Sequence, residues 1–130
     1  MQEGGYTMID FQNGSVFKLK KADNSAAKDV EALFITGEEI ISCYKGLRDY
    51  VVFTNKRAIS VNVQGMTGKK KDFTSLPYSK VQAFSVETAG VLDMDSELEI
   101  YFSGLGKVKF EFSGASDIIQ IGKTIGAYLL

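Results

Sequence analysis

The chain has 130 residues and a mass of 14.3 kDa, with 45% hydrophobic and 24% charged residues, which suits one globular domain. Fifteen Lys and Arg against sixteen Asp and Glu give a net charge of −1, without the basic excess expected of a nucleic-acid binder. A single cysteine excludes an intramolecular disulfide, and the absence of histidine excludes imidazole acid–base catalysis and argues against a zinc site.

Residues 1–24 are predicted to be an arm with one short strand, SVFKL, ahead of a single domain over 25–130. The arm has neither the pattern of a secretory signal nor an apolar run long enough to cross a bilayer, so we expect a cytoplasmic protein. Its large apolar side chains should be covered by the protein itself or by a neighbouring subunit. They are Met8, Ile9, Phe11, Val16, Phe17 and Leu19. We expect SVFKL to add to an unpaired strand edge.

The segment SAAKDVEALFITG (25–37) predicts a short helix capped by Asn24 or Ser25 and stopped by Gly37. Seven short strands follow, each alternating or β-branched, and most are bounded by Gly, Asn, Asp or Pro. They are predicted at 39–45, 49–55, 58–64, 71–78, 81–88, 97–103 and 107–113. Such a meander without intervening helices indicates an antiparallel barrel or orthogonal sandwich.

The C-terminal segment SDIIQIGKTIGAYLL predicts an amphipathic helix behind a cap at Ser113 or Ser116. Ile118, Ile121 and Ile125 recur at three- and four-residue spacing, which places them on one face. Gly122 and Gly126 allow close approach of another element. Packing of this helix on the sheet is favoured over a helix–helix dimer face.

Five motifs in order resemble the bacterial pleckstrin-homology (PH) domain family. They are RD at 48–49, FTNKR at 53–57, QGMTGKK at 64–70, SLPY at 75–78 and FSVETAG at 84–90. The resemblance covers about residues 33–130. It implies a mainly β, PH-like fold with seven antiparallel strands, a C-terminal capping helix and a short N-terminal helix. It also implies assembly into closed homo-oligomeric rings.

In a simple meander, alternate connections fall at the same end, so the loops at 46–49, 64–71 and 88–95 should share one rim. The candidate rim for contact with a partner or an anion therefore consists of Arg48, Lys69, Lys70, Lys71, Asp93 and Asp95. The favoured interpretation of GKKK is a solvated hairpin tip, in which Gly65 and Gly68 supply positive φ. Contact of this loop with a partner or a subunit is the second interpretation. Anionic-lipid binding is the third, because each basic residue contributes only ~1 kcal/mol of binding free energy near an anionic surface.

Other chemistry finds little support. QGMTGKK has two residues between its glycines where a phosphate loop needs four. The acidic run DMDSELE lacks the glycine of a calcium loop, so a solvated strand face is favoured over a metal site. Cys43 lies in a predicted strand and is expected to be an inert, buried thiol. We expect no enzyme activity, no cofactor and no metal.

Two functional hypotheses remain. The favoured one is a non-enzymatic PH-like scaffold that assembles edge to edge into a homo-oligomer, for which the resemblance implies a ring, and presents repeated loop surfaces to a protein partner. The alternative is peripheral binding to an anionic membrane through the basic loop and Arg48.

Overall fold

Eight β-strands, one α-helix and two 3-10 helices follow one another in the computed structural model, which describes residues 15–92, 94–114 and 116–130. The strands are β1 Ser15–Ala22, β2 Ile40–Lys45, β3 Asp49–Thr54, β4 Arg57–Gln64, β5 Lys70–Pro77, β6 Val81–Glu87, β7 Ser96–Phe102 and β8 Gly106–Ser113. The helix α1 spans Ile118–Leu129, and the 3-10 helices span Asn24–Leu33 and Tyr78–Lys80.

All eight strands form one sheet in the order β5-β4-β3-β2-β1-β8-β7-β6. The expected mainly β, PH-like architecture with a C-terminal helix is confirmed, but the count of seven strands is wrong because β1 is a full member of the sheet. The expected barrel is also not closed, since the described part of the sheet ends in β5 at one edge and β6 at the other.

Strand β1 joins the two halves of the sheet. Its first six residues pair parallel to β8, and Lys20 to Ala22 pair antiparallel to β2. SVFKL thus adds to an unpaired strand edge, as expected, and it does so on both sides, because β1 pairs with the edges of β8 and β2 and lies inside the sheet. Phe17 and Leu19 are buried, as expected of the arm, while Met8, Ile9, Phe11 and the Val16 side chain lie outside the described residues.

The main core lies between the two halves of the curled sheet. Alternation in β7 and β8 turns every second side chain inward, and Leu98, Ile100, Val108, Phe110 and Phe112 are all fully buried. Aromatic rings from β2, β3 and β8 pack edge to face in this core, where the Phe53 and Phe110 centroids are 5.3 Å apart. Apolar burial of this kind supplies most of the stability of the fold.

A second, smaller cluster covers the opposite face of β2, β3 and β4. The segment predicted as a short helix at 25–37 is a 3-10 helix over Asn24–Leu33, which places Ala27 and Val30 on this face and ends at the C-cap Phe34 rather than at Gly37. Their three-residue spacing matches the three residues per turn of a 3-10 helix, so both are fully buried. The cap is Asp23, whose side chain accepts a hydrogen bond from the Ser25 N–H at 2.8 Å, and neither Asn24 nor Ser25 fills that role.

Helix α1 packs on the inner face of the β6 half of the sheet, as the glycine spacing predicts. A methyl group at Gly122 would lie 3.1 Å from Val86 Cγ2, and one at Gly126 would lie 3.8 Å from Phe84 Cζ. The helix begins after Asp117, whose N–H donates to the Tyr44 hydroxyl at 2.8 Å. Neither Ser113 nor Ser116 is the N-cap residue, which is Asp117.

Candidate functional site

Two of the loops predicted to share a rim touch each other. The Arg48 guanidinium in the β2–β3 turn donates a hydrogen bond of 2.7 Å to the Gly65 carbonyl in the β4–β5 loop. Gly65 and Gly68 have φ values of 76° and 70°, so this loop uses the positive φ predicted for it. Arg48 thus fixes the position of one loop against the other.

The three lysines of the basic loop have different surroundings. Lys71 forms an ion pair with Asp29 of the first 3-10 helix. The hydrogen bond to Asp29 raises the pKa of the Lys71 ammonium, and the pair ties the edge strand β5 to that helix. Lys69 and Lys70 are exposed. The basic loop therefore presents two lysines to solvent, and their contact with a partner or an anion stays a prediction.

The structure describes only one of the two acidic residues predicted for the rim. Asp93 lies outside the described residues. Asp95 is exposed and lines a surface depression of about 440 Å³ together with residues of β1, β2, β8 and the β2–β3 turn. The depression is lined by Lys18, Leu19, Lys20, Lys45, Gly46, Leu47, Asp95, Glu111 and Ser113. Asp95 therefore lies near the β2–β3 turn, although a role for either aspartate stays a prediction.

Large apolar side chains project from the same loops, and sequence reasoning missed them. Leu47 in the β2–β3 turn is 97% exposed, and Met66 in the β4–β5 loop is 102% exposed. Val91, Leu92 and Met94 between β6 and β7 are also exposed. Leu47 lines both the depression with Asp95 and a second one of about 250 Å³ beside Arg48. Leu47 and Met66 lie on two loops that contact each other, and neighbouring exposed apolar groups are typical of surfaces that meet a partner.

A buried polar network explains the FTNKR motif. Arg57 donates from Nε to Glu38 Oε2 and from an η nitrogen to Glu38 Oε1, both at 2.9 Å. The same guanidinium donates to the Leu33 carbonyl at 2.7 Å and to the Ser75 hydroxyl at 2.9 Å. Thr54 donates to Glu38 at 2.7 Å. The network joins the first 3-10 helix to β3, β4 and β5.

The charge state of Glu38 is set by two opposing effects. Burial raises the pKa of this carboxyl, whereas hydrogen bonds from Arg57, Thr54 and the Ile35 N–H lower it, and the net pKa is below its usual value. Glu38 is therefore an ionised structural anchor at neutral pH. Its side chain is fully buried, away from the exposed loops.

The described residues bring together little that could act as a catalytic or metal centre. Residues 15–92, 94–114 and 116–130 contain no group of three or more Cys, Asp and Glu side chains placed to hold a metal ion. Cys43 is buried, as expected, and burial raises the pKa of its thiol to about 11. Little nucleophilic thiolate is therefore present at neutral pH. The described part of the chain has no helix that is long and apolar enough to cross a membrane.

Comparison with known families agrees with this fold. A sequence model described as the bacterial PH domain matches residues 10–129. The chain belongs to the bacterial PH-domain family. The match starts well before residue 33, where the resemblance in the sequence motifs begins, and it includes β1. The region that matches the bacterial PH-domain family thus includes the strand that joins the two halves of the sheet.

Curated relatives of this bacterial PH-domain chain are found in Bacillus subtilis (strain 168). The uncharacterized protein YjqA is 43% identical over 121 residues, which are 92% of this chain and 95% of YjqA. The uncharacterized protein YozO is 34% identical over 103 residues, which are 79% of this chain and 89% of YozO. The similarity therefore spans nearly the whole length of both relatives.

Solved structures show the same fold. A DUF1696 family protein with a pleckstrin-homology domain from Shewanella loihica PV-4 is 35% identical, with a TM-score of 0.69 over 90% of this chain and 99% of that one. A pleckstrin-homology domain from Shewanella amazonensis SB2B is also 35% identical, with a TM-score of 0.57 over 98% of this chain and 94% of that one. The PH-like fold of the chain is thus shared with experimental structures.

Proposed function

We propose that this chain is a non-enzymatic, cytoplasmic PH-like scaffold that assembles edge to edge with copies of itself and presents its loops to a protein partner. The observation that supports this most directly is the open sheet. Among the described strands, β5 pairs with β4 and β6 pairs with β7, so each has an unpaired outer edge. An unpaired edge is a template for a strand from another chain.

The two free edges are suited to each other. Strand β5 has eight residues and β6 has seven, so one can pair with the other along nearly its full length. Pairing of β5 in one copy with β6 in the next is a head-to-tail contact, because it uses two different surfaces. Contacts of this kind generate a ring when the rotation between copies closes.

Assembly would repeat the exposed loop residues around the oligomer. Each copy carries Leu47 and Met66 on adjacent loops held together by Arg48. Repeated presentation raises the effective concentration of a weak site, so a partner with several matching sites would bind more tightly. The candidate contact residues are Arg48, Lys69 and Lys70 with these apolar tips, while Lys71 is held by Asp29.

Edge variants test the assembly. Thr74→Lys on β5 and Ser85→Lys on β6, combined in one chain, place new charges on both edges, and lysine on an edge opposes strand pairing. We expect this double variant to have a lower mass than the wild type in size-exclusion chromatography with light scattering. The matched control is Thr36→Lys with Ser103→Lys, which adds the same two charges at exposed turn residues. An edge variant that keeps the wild-type oligomeric mass would contradict edge-to-edge assembly.

A further inference from the structure

The outer face of the sheet carries two lysines in direct cross-strand register. Lys20 of β1 lies opposite Lys45 of β2, and both side chains are exposed. We call this pair the basic row. Like charges directly opposite each other destabilise a sheet. None of the ion pairs among the described residues includes Lys20 or Lys45, so no described ion pair offsets the repulsion.

A second row on the same sheet has the opposite sign. Glu87 of β6 lies opposite Glu97 of β7, which in turn lies opposite Glu111 of β8. We call these three residues the acidic row. Lys109 lies 3.1 Å from Glu97 and 4.0 Å from Glu111. Lys109 and Lys18, which is in register with Glu111, place two ammonium groups beside these three carboxylates, so the row keeps a net negative charge.

The two rows lie side by side. Lys18 of β1 is in register with Glu111 of β8, which marks the boundary between them. Lys20 and Lys45 line the 440 Å³ depression together with Lys18 and Glu111. One continuous surface therefore has a basic half on β1 and β2 and an acidic half on β6, β7 and β8.

We propose that this surface binds the same surface of a second copy around a two-fold axis. When two copies meet face to face about an axis in the plane of contact, the basic half of each lies against the acidic half of the other. Such a contact is isologous, because both copies use the same patch. It replaces the repulsion within each row by attraction between copies.

This contact goes beyond the edge-to-edge assembly proposed above. It uses the outward side chains of the sheet face, whereas edge pairing uses the backbone of β5 and β6. A two-fold contact joins copies in pairs, whereas edge pairing joins them in a closed or open series. The two contacts can therefore be disrupted separately.

Charge exchange tests the two-fold contact. The basic-row variant is Lys20→Glu with Lys45→Glu, and the acidic-row variant is Glu87→Lys with Glu97→Lys. Each variant alone places like charges against like charges, so we expect sedimentation velocity to show association weakened roughly tenfold or more. A 1:1 mixture of the two variants restores opposite charges across the contact and should recover the wild-type sedimentation coefficient.

Two controls separate this effect from net charge and from misfolding. Lys28→Glu with Lys123→Glu matches the charge change of the basic-row variant, and Glu31→Lys with Glu39→Lys matches that of the acidic-row variant. These four control residues are exposed and lie outside both rows. Circular dichroism melting checks the fold of every chain, and recovery on mixing shows that both row variants are folded.

The outcomes are distinct for the two assembly contacts. Weakened association of each row variant, with recovery in the mixture and unchanged controls, supports the two-fold contact. Row variants that associate like the wild type, or a mixture that fails to recover, would overturn it. If the row variants associate like the wild type while the edge variants lose mass, edge-to-edge assembly stands and only the two-fold contact is wrong. A wild type that is monomeric at low salt would contradict both contacts.

Discussion

The Glu38–Arg57 network makes the sharpest prediction about stability. Glu38→Gln keeps the size of the side chain and removes its charge. A glutamine oxygen can still accept two hydrogen bonds, but its NH₂ group would face one Arg57 donor and either Thr54 or the Ile35 N–H, so about two charge-assisted bonds are lost. Such bonds are worth about 1.5–3 kcal/mol each. Relief of the burial cost of the carboxylate offsets part of this, which leaves a loss of about 2–3 kcal/mol in the free energy of unfolding.

Thermal and urea unfolding measure this loss directly. A domain of this length has an unfolding entropy of roughly 0.27 kcal/mol/K, so the melting temperature should fall by about 7–11 °C at pH 7. Glu39→Gln is the matched control, since its side chain is exposed and should matter by less than about 0.5 kcal/mol. If Glu38→Gln were as stable as this control, the ion pair would not anchor the 3-10 helix.

The pH dependence has a definite sign. The folded-state pKa of Glu38 is lowered. The contribution of its carboxylate to the free energy of unfolding is therefore fully present above the ordinary glutamate pKa and is lost as pH falls through the lowered pKa. The stability difference between the wild type and Glu38→Gln should therefore shrink below about pH 4.5. A difference that grew on acidification would contradict this assignment.

Three further predictions concern the helix, the first strand and the basic loop. Gly126→Ala should raise the free energy of unfolding by up to about 1 kcal/mol through helix propensity. Gly122→Ala should be less stable than Gly126→Ala by about 1 kcal/mol, because its methyl group crowds Val86. Equal melting temperatures of the two variants would contradict this. Deleting residues 1–20 removes Phe17 and Leu19, whose burial is worth roughly 1.5–3 kcal/mol each. Compared with a chain lacking only residues 1–14, this deletion should lower the melting temperature or dissociate the oligomer. Unchanged stability and assembly would show that β1 is dispensable. If the alternative of anionic-membrane binding applies, sedimentation with acidic liposomes should weaken with salt and with Lys69→Ala, Lys70→Ala and Lys71→Ala combined; equal pelleting by neutral liposomes would argue against it.

Strand alternation is the part of the fold that the sequence predicted best. In KVKFEFS, Val108, Phe110 and Phe112 alternate with charged residues, and all three are fully buried. The sequence did not predict the position of β1. A parallel partner such as β8, some ninety residues away along the chain, leaves no mark in the local pattern of SVFKL. The sequence predicted a short first helix but not its 3-10 type, because three-residue burial spacing fits both α- and 3-10 geometry over one turn.

The candidate site was harder to predict because its geometry depends on distant pairs. Glu38 has no distinctive sequence context, and its partner Arg57 is nineteen residues away. Nothing in GKKK shows that Lys71 is held by Asp29. Leu47 and Met66 are exposed although pattern rules place apolar residues inside. Loop residues of this kind escape period-based reasoning, because the loop backbone has no fixed repeat.

Self-assembly through the free sheet edges is tested most directly by the mass of the wild-type chain in solution. Light scattering behind size-exclusion chromatography gives that mass without assumptions about shape. We predict a discrete species whose mass is a whole-number multiple of 14.3 kDa and greater than one subunit. A single species of 14.3 kDa that persists in concentrated solution would contradict assembly.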